Sequence, residues 1–189
     1  LSRKKMQLLA GNLKSQPDII VEKISDYLDA KSIANMSVLD KDMNSRKSLK
    51  VSLLLCDTYW GRQDKIEGIV RQNPRLLSIK GNCTDLSKRQ FNGITAFQYA
   101  WWACDWYMWR MMIKYMDKAE VLRQVDEIES NRLSWVSSHG QEFDISGLTQ
   151  AYDNYLDNWR GWNDEQREDA WCKGVGGQQR LLPAHVISE

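Results

Sequence analysis

Between Asn92 and Met116 the chain carries its tightest folding instruction: a turn dipeptide, a capping residue and two apolar runs in fixed order. Asn92-Gly93 predicts a turn, because glycine takes positive φ at no steric cost. Thr95 stands where a side-chain oxygen caps a helix. Phe97 and Ala100 then give that helix one large and one small face residue. Met108, Trp109, Met111, Met112 and Tyr115 follow at core-like helical spacing. The expectation is a turn and two antiparallel helices, with a break at Cys104-Asp105. Trp101, Trp102, Trp106 and Trp109 crowd into the same stretch, and four such rings cannot all face one core. An exposed tryptophan buries much area with few rotatable bonds, which makes it an interface anchor. Two outcomes stand open for the four. Either at least one is exposed and the cluster binds a target, or a later helix covers them all.

Helical spacing extends over almost the whole chain, and sustained period-two alternation is missing. Ile20, Ile24, Tyr27 and Leu28 form one stripe. Ile66, Ile69 and Val70 form another, ended by Asn73-Pro74 because the residue before proline avoids helical angles. Val121, Val125, Ile128 and Arg132 form a third, with Leu122 and Leu133 beside them. Leu148, Ala151, Tyr152, Tyr155, Leu156 and Trp159 make the clearest single face, with Asp144 or Ser146 at its start and Gly161 at its end. A short helix begins at Asn163, which forms a capping box with Gln166, and is expected to stop near Gly174. Leu76 to Asn92 and Ser137 to Gly140 read as ordered loops. A polar, basic boundary falls at Asn44 to Lys50. The fold class expected is all-α, with one unit over residues 1–48 and a helical body over 49–189.

Charge is nearly balanced, at +1 overall, which lacks the one-sided cationic surplus of a nucleic-acid-binding face. The most apolar stretch, Trp101 to Met116, is interrupted by Asp105, Arg110 and Lys114, so no membrane span of ~20 residues is expected. Cys56, Cys83, Cys104 and Cys172 are widely separated, without a C-x-x-C pair. That favours ordinary thiols in a reducing, intracellular compartment over a disulfide framework or a zinc site. No metal and no cofactor are expected. The chain begins at Leu1 rather than Met and ends at Glu189 inside a continuing pattern, as a piece of a longer protein would.

The order Asn92-Gly93-Ile94-Thr95-Ala96-Phe97-Gln98-Tyr99-Ala100 resembles the ankyrin repeat, whose hallmark is D-G-x-T-P-L-H-x-A. There are departures. Ala96 stands for the proline, Gln98 for the histidine, Cys104 for the inter-helix glycine and Met116 for the terminal glycine. The resemblance implies that Gln98 bridges backbone groups between repeats, as the family's histidine does. A weaker copy precedes it, with Leu53 to Tyr59 as first helix and Ile66 to Val70 as second. The spacing between copies exceeds the family's ~33 residues, which an insertion between Leu76 and Asn92 explains.

Pro17, Ile20, Ile24, Tyr27, Leu28, Ile33, Met36, Leu39, Lys41 and Met43 are similar to the F-box register. Gln16 replaces the family's opening leucine and Ile19 its usual glutamate. The resemblance implies that Pro17, Ile20, Ile24, Leu28 and Ile33 meet a Skp-family adaptor and so link the chain to a cullin ubiquitin ligase. Trp101, Trp102, Trp106 and Trp109 would then hold the recruited target. F-box plus ankyrin-like architecture resembles the effectors that intracellular bacterial pathogens secrete into the host cytoplasm. The alternatives are an ankyrin-type binding module with no ubiquitin role and a cysteine-dependent enzyme. For the last, Cys104 or Cys172 would need His139 or His185 beside it, and none of them sits in a catalytic motif. The run Gly174-Val175-Gly176-Gly177 lacks the lysine and hydroxyl residue of a phosphate loop. No catalytic residue is therefore expected.

Overall fold

A computed structural model describes residues 47–187 of the chain. The F-box-like stretch from Pro17 to Met43, with its partner-facing Pro17, Ile20, Ile24, Leu28 and Ile33, lies outside the described residues.

The described chain is mostly helical, with one two-stranded antiparallel sheet. Helix α1 spans Lys47–Tyr59 and α2 spans Gln63–Gln72. A 3-10 turn follows at Pro74–Ser78. Strands β1 (Gly81–Thr84) and β2 (Gln90–Ile94) then form a hairpin. Helices α3 (Ala96–Trp102) and α4 (Trp106–Ile113) make the second helical hairpin, and α5 (Lys118–Glu129) follows. A short α6 covers Val136–His139, and α7 covers Ser146–Asn158. The C-terminal stretch runs from α8 (Asp164–Asp169) through a π-helical segment (Ala170–Val175) into α9 (Gly176–Gln179), then α10 (Ala184–Ile187).

The two hairpins stack. First helices pack on first helices and second on second: α1 against α3, α2 against α4, with α5 continuing the row against α3. Helices α1, α3 and α5 also end the same way. In α1 the Gly61 N–H donates to Thr58 O and the Arg62 N–H to Asp57 O. In α3 the pairs are Cys104 to Trp101 and Asp105 to Ala100. In α5 they are Asn131 to Ile128 and Arg132 to Glu127. Each is a Schellman closure, which needs a left-handed residue just past the helix. Gly61, Cys104 and Asn131 supply it, at φ of 70°, 57° and 53°.

Two helix starts follow from sequence as expected, at Thr95 and Asn163, while α7 starts after Ile145 with no side-chain cap. The Thr95 side chain accepts the Gln98 N–H, and Gln98 returns the bond to the Thr95 N–H, a full capping box. Asp105 caps α4 by accepting the Met108 N–H. Asn163 and Gln166 form the second capping box, at α8.

The core centres on Phe91, which is fully buried. Around it Tyr99, Trp102 and Trp135 stand edge-on with centroids at 5.3, 4.8 and 5.6 Å, and the His139 ring lies over it at 4.5 Å. Gly81 lets β1 touch α1, since a Cβ there would sit 2.8 Å from Val51 Cγ1.

Several expectations are corrected. Leu76 to Asn92 is not a plain loop: it holds the 3-10 turn and most of the β-hairpin, so the chain is mainly rather than wholly helical. Asn92-Gly93 lies inside β2, where Gly93 takes φ 72° beside a register irregularity, and the hairpin turn is at Asp85–Arg89. The boundary expected at Asn44 to Lys50 overlaps α1, where Leu49 is buried. Ser137 to His139 is the end of α6. In α5 the expected stripe of Val121, Val125 and Ile128 does pack on the core, but buried Gln124 joins it and Leu122 points out. Gly174 does not stop α8, because the chain continues helically through the π segment, anchored by buried Val175. The face of α7 is half-buried at best, with Leu156 and Trp159 exposed.

Candidate functional site

Three tryptophans of the four are wholly or partly internal. Trp102 is core: its indole N–H donates to His139 O at 3.1 Å, and the Arg89 guanidinium covers the ring at 5.5 Å. Trp101 is half-buried between Phe97 and Trp109, at 6.0 and 5.1 Å. Trp106 differs. It is 44% exposed, its neighbour Tyr107 is 58% exposed, and their rings lie 4.3 Å apart. Arg110, one turn on, sits over Trp106 at 5.4 Å. Helix α7 does not cover this cluster; its Tyr152 and Tyr155 pack on Trp171 instead.

Stacking brings a second aromatic to the same end of the body. The α1–α2 turn carries Trp60, 38% exposed, with Arg62 over its ring at 5.2 Å. His185 of α10 bridges the two turns. A Cβ on Gly61 would lie 3.1 Å from His185 Cβ, and His185 Nδ1 stands 3.8 Å from Asp105 Oδ2. Both arginines thus hold an exposed indole by cation–π contact, which restrains the rings. Sequence reading passed over Trp60, Arg62, Tyr107 and Arg110. The available signal was an arginine within one helical turn after each outer tryptophan.

Gln98 links α3 to α5. It is fully buried, and its amide donates to Gln124 O at 3.4 Å and to Glu127 at 2.9 Å. Gln124 in turn donates to Leu77 O and Glu120. Arg123 pairs with Glu120 and Glu127, and Lys80 reaches Glu127 at 3.0 Å. The Arg123 hydrogen bonds, working against burial and aided by Gln124, hold the Glu120 carboxyl at about 2. Burial works the other way at Glu127, but the Lys80 and Gln98 bonds keep its carboxyl below the usual range. The network ties α5 to the second hairpin.

Burial, then Glu142, pushes the Cys104 thiol up, opposite to what a nucleophilic thiolate needs. His139 is committed to Trp135 O at 2.9 Å and to the Phe91 ring, and His185 faces Asp105. Among the described residues no group of three or more His, Cys, Asp or Glu converges as metal ligands do. No described helix is long and apolar enough to cross a membrane.

The C-terminal helices join the body through few polar contacts. Arg89 donates to Leu181 O at 2.7 Å and Ser87 to Arg180 O at 3.1 Å. The family described as the CBUA0006 C-terminal domain matches residues 146–189, and so begins where α7 begins. The chain is also similar to uncharacterized protein CBUA0006 of Coxiella burnetii (strain RSA 493 / Nine Mile phase I). The identity is 27% over 208 residues, covering 96% of this chain and 60% of that protein. This chain therefore spans well under two thirds of its relative's length. No solved structure matches it.

Proposed function

We propose that the chain is a protein-binding module, an ankyrin-like stack of helical hairpins that holds a target at the end carrying Trp106. The observation that carries this is the exposed Trp106–Tyr107 pair on a helix whose other face, Met108, Met111 and Met112, is buried. The repeated stacking and the three matching helix ends support the ankyrin-like part of the reading. A tryptophan at the centre of an interface contributes at least about 2 kcal/mol, or roughly 30-fold in affinity. The test compares wild type with Trp106→Ser/Tyr107→Ser in quantitative affinity capture from eukaryotic lysate. Loss of a defined protein set at unchanged melting temperature supports the module. An unchanged set contradicts it.

The finer form of this proposal is an adaptor that recruits its target to a host Skp/cullin ubiquitin ligase. What supports it is the F-box-like register Pro17, Ile20, Ile24, Leu28 and Ile33. As an effector, such a chain would be secreted by a bacterium and work in the reducing host cytoplasm. A charge pressed into an apolar contact without a partner costs several kcal/mol, of the order of ~2–7 for a buried polar group and more for an ion. Ile24→Asp or Leu28→Asp should then abolish Skp recovery while the hairpin body stays folded. Skp recovery equal to wild type, or none from wild type, would leave a plain binding module.

A further inference from the structure

A groove of about 290 Å³ lies between α1 and α2, away from the turn that carries Trp60. Its floor is apolar, made by Leu53, Ile69 and Leu76. Lys50 on α1 and Lys65 on α2 line it, and among the described residues no carboxylate does. Neither lysine has a carboxylate partner among the described residues, whereas Arg71, Lys80, Arg89 and Arg123 each have one. Along α2 the lining residues are Lys65, Gly68, Ile69 and Gln72, one continuous helical stripe of about 10 Å.

Gly68 is the unexpected member. It sits inside α2, where glycine weakens a helix. Nothing in the fold asks for it: its φ is not positive, and a Cβ there would meet nothing within 4 Å. An exposed glycine that the packing of the described residues does not need, on the α2 side of a cationic apolar groove, gives a second backbone room to approach.

We infer that this groove docks an acidic, amphipathic helical segment of a partner protein. The partner's apolar stripe would lie along Gly68, on Leu53 and Ile69, with carboxylates on its flanks meeting Lys50 and Lys65. A helix laid in a groove between two helices is a common mode of recognition, and Lys50 and Lys65 select an acidic one. This surface is separate from the Trp106 end and does not depend on it.

The test uses the full chain and a fluorescent 16-residue probe peptide with leucines on one helical face and glutamates flanking them. A twin carries lysines in place of the glutamates. The acidic peptide should bind and the basic twin should not. Lys50→Glu/Lys65→Glu should weaken the acidic peptide at least about tenfold and invert the preference. Gly68→Leu should weaken it similarly without lowering the melting temperature, a combination that a merely structural glycine would not give. Trp106→Ser should leave it unchanged. Equal binding of both peptides, no binding, or unaltered affinity in the groove variants would overturn the inference. Self-association of the chain that is lost in the Lys50→Glu/Lys65→Glu variant would assign the groove to a second copy and overturn it as well.

Discussion

Cys104 occupies a backbone conformation that suits glycine, and Gly61 fills the same place in the preceding hairpin. A non-glycine residue there carries a strain of about 1–2 kcal/mol, partly offset by glycine's greater freedom when unfolded. Cys104→Gly should therefore raise stability by about 0.5–1 kcal/mol in urea denaturation; a loss would contradict the Schellman account. Tyr99 offers the converse test. It is 2% exposed, and its hydroxyl finds no hydrogen-bond partner. An unmet buried hydroxyl costs about 1–3 kcal/mol, so Tyr99→Phe should leave stability unchanged or raise it. A drop of more than about 1 kcal/mol would mean that the hydroxyl has a partner. Single residues were also where the sequence was most legible. Thr95, Gln98, Asn163 and Gln166 act through neighbours three positions away, so local spacing suffices to place them. Phe91 was not legible as a core centre, because Trp135 and His139, at the start and end of α6, reach it from far along the chain.

Helices with a strong apolar stripe and a clear stop were foreseeable, as α2 with Asn73-Pro74 shows. The β-hairpin was not. Its strands have four and five residues, too few for alternation to stand out, and its turn is held by Asp85 accepting from the Arg89 N–H and side chain. In α5 the stripe Val121, Val125 and Ile128 was legible and packs on the core, but the polar Gln124 that joins it was not, because its burial is offset by bonds to Leu77 O and Glu120 from outside the local pattern. That network is also where acid should act. The folded carboxyl of Glu120 lies at about 2, below its ordinary 4.5. Such a group stabilises fully above pH ~4.5, and its contribution is lost as pH falls toward 2. Glu120→Gln should lower stability at pH 6 and flatten the decline between pH 5 and 3 by about 1–2 kcal/mol, after allowance for its partial exposure. An acid limb as steep as wild type's would show that another group carries it.

At the scale of the whole molecule, stacking does what sequence proximity cannot. It sets the Trp60 turn beside the Trp106 turn, with His185 between them. Only one half of that pairing was visible in the sequence, because the tryptophan cluster drew attention to a single hairpin. The C-terminal helices keep Leu156, Trp159 and Trp171 exposed, so they offer the rival aromatic face. The central claim is that a partner binds the Trp106 end, and hydroxyl-radical footprinting of the full chain, free and bound to a captured partner, tests it most directly. Protection should appear at Trp60, Trp106 and Tyr107, with Trp159 and Trp171 unchanged. Protection of Trp159 and Trp171 without any at Trp106 would contradict the claim.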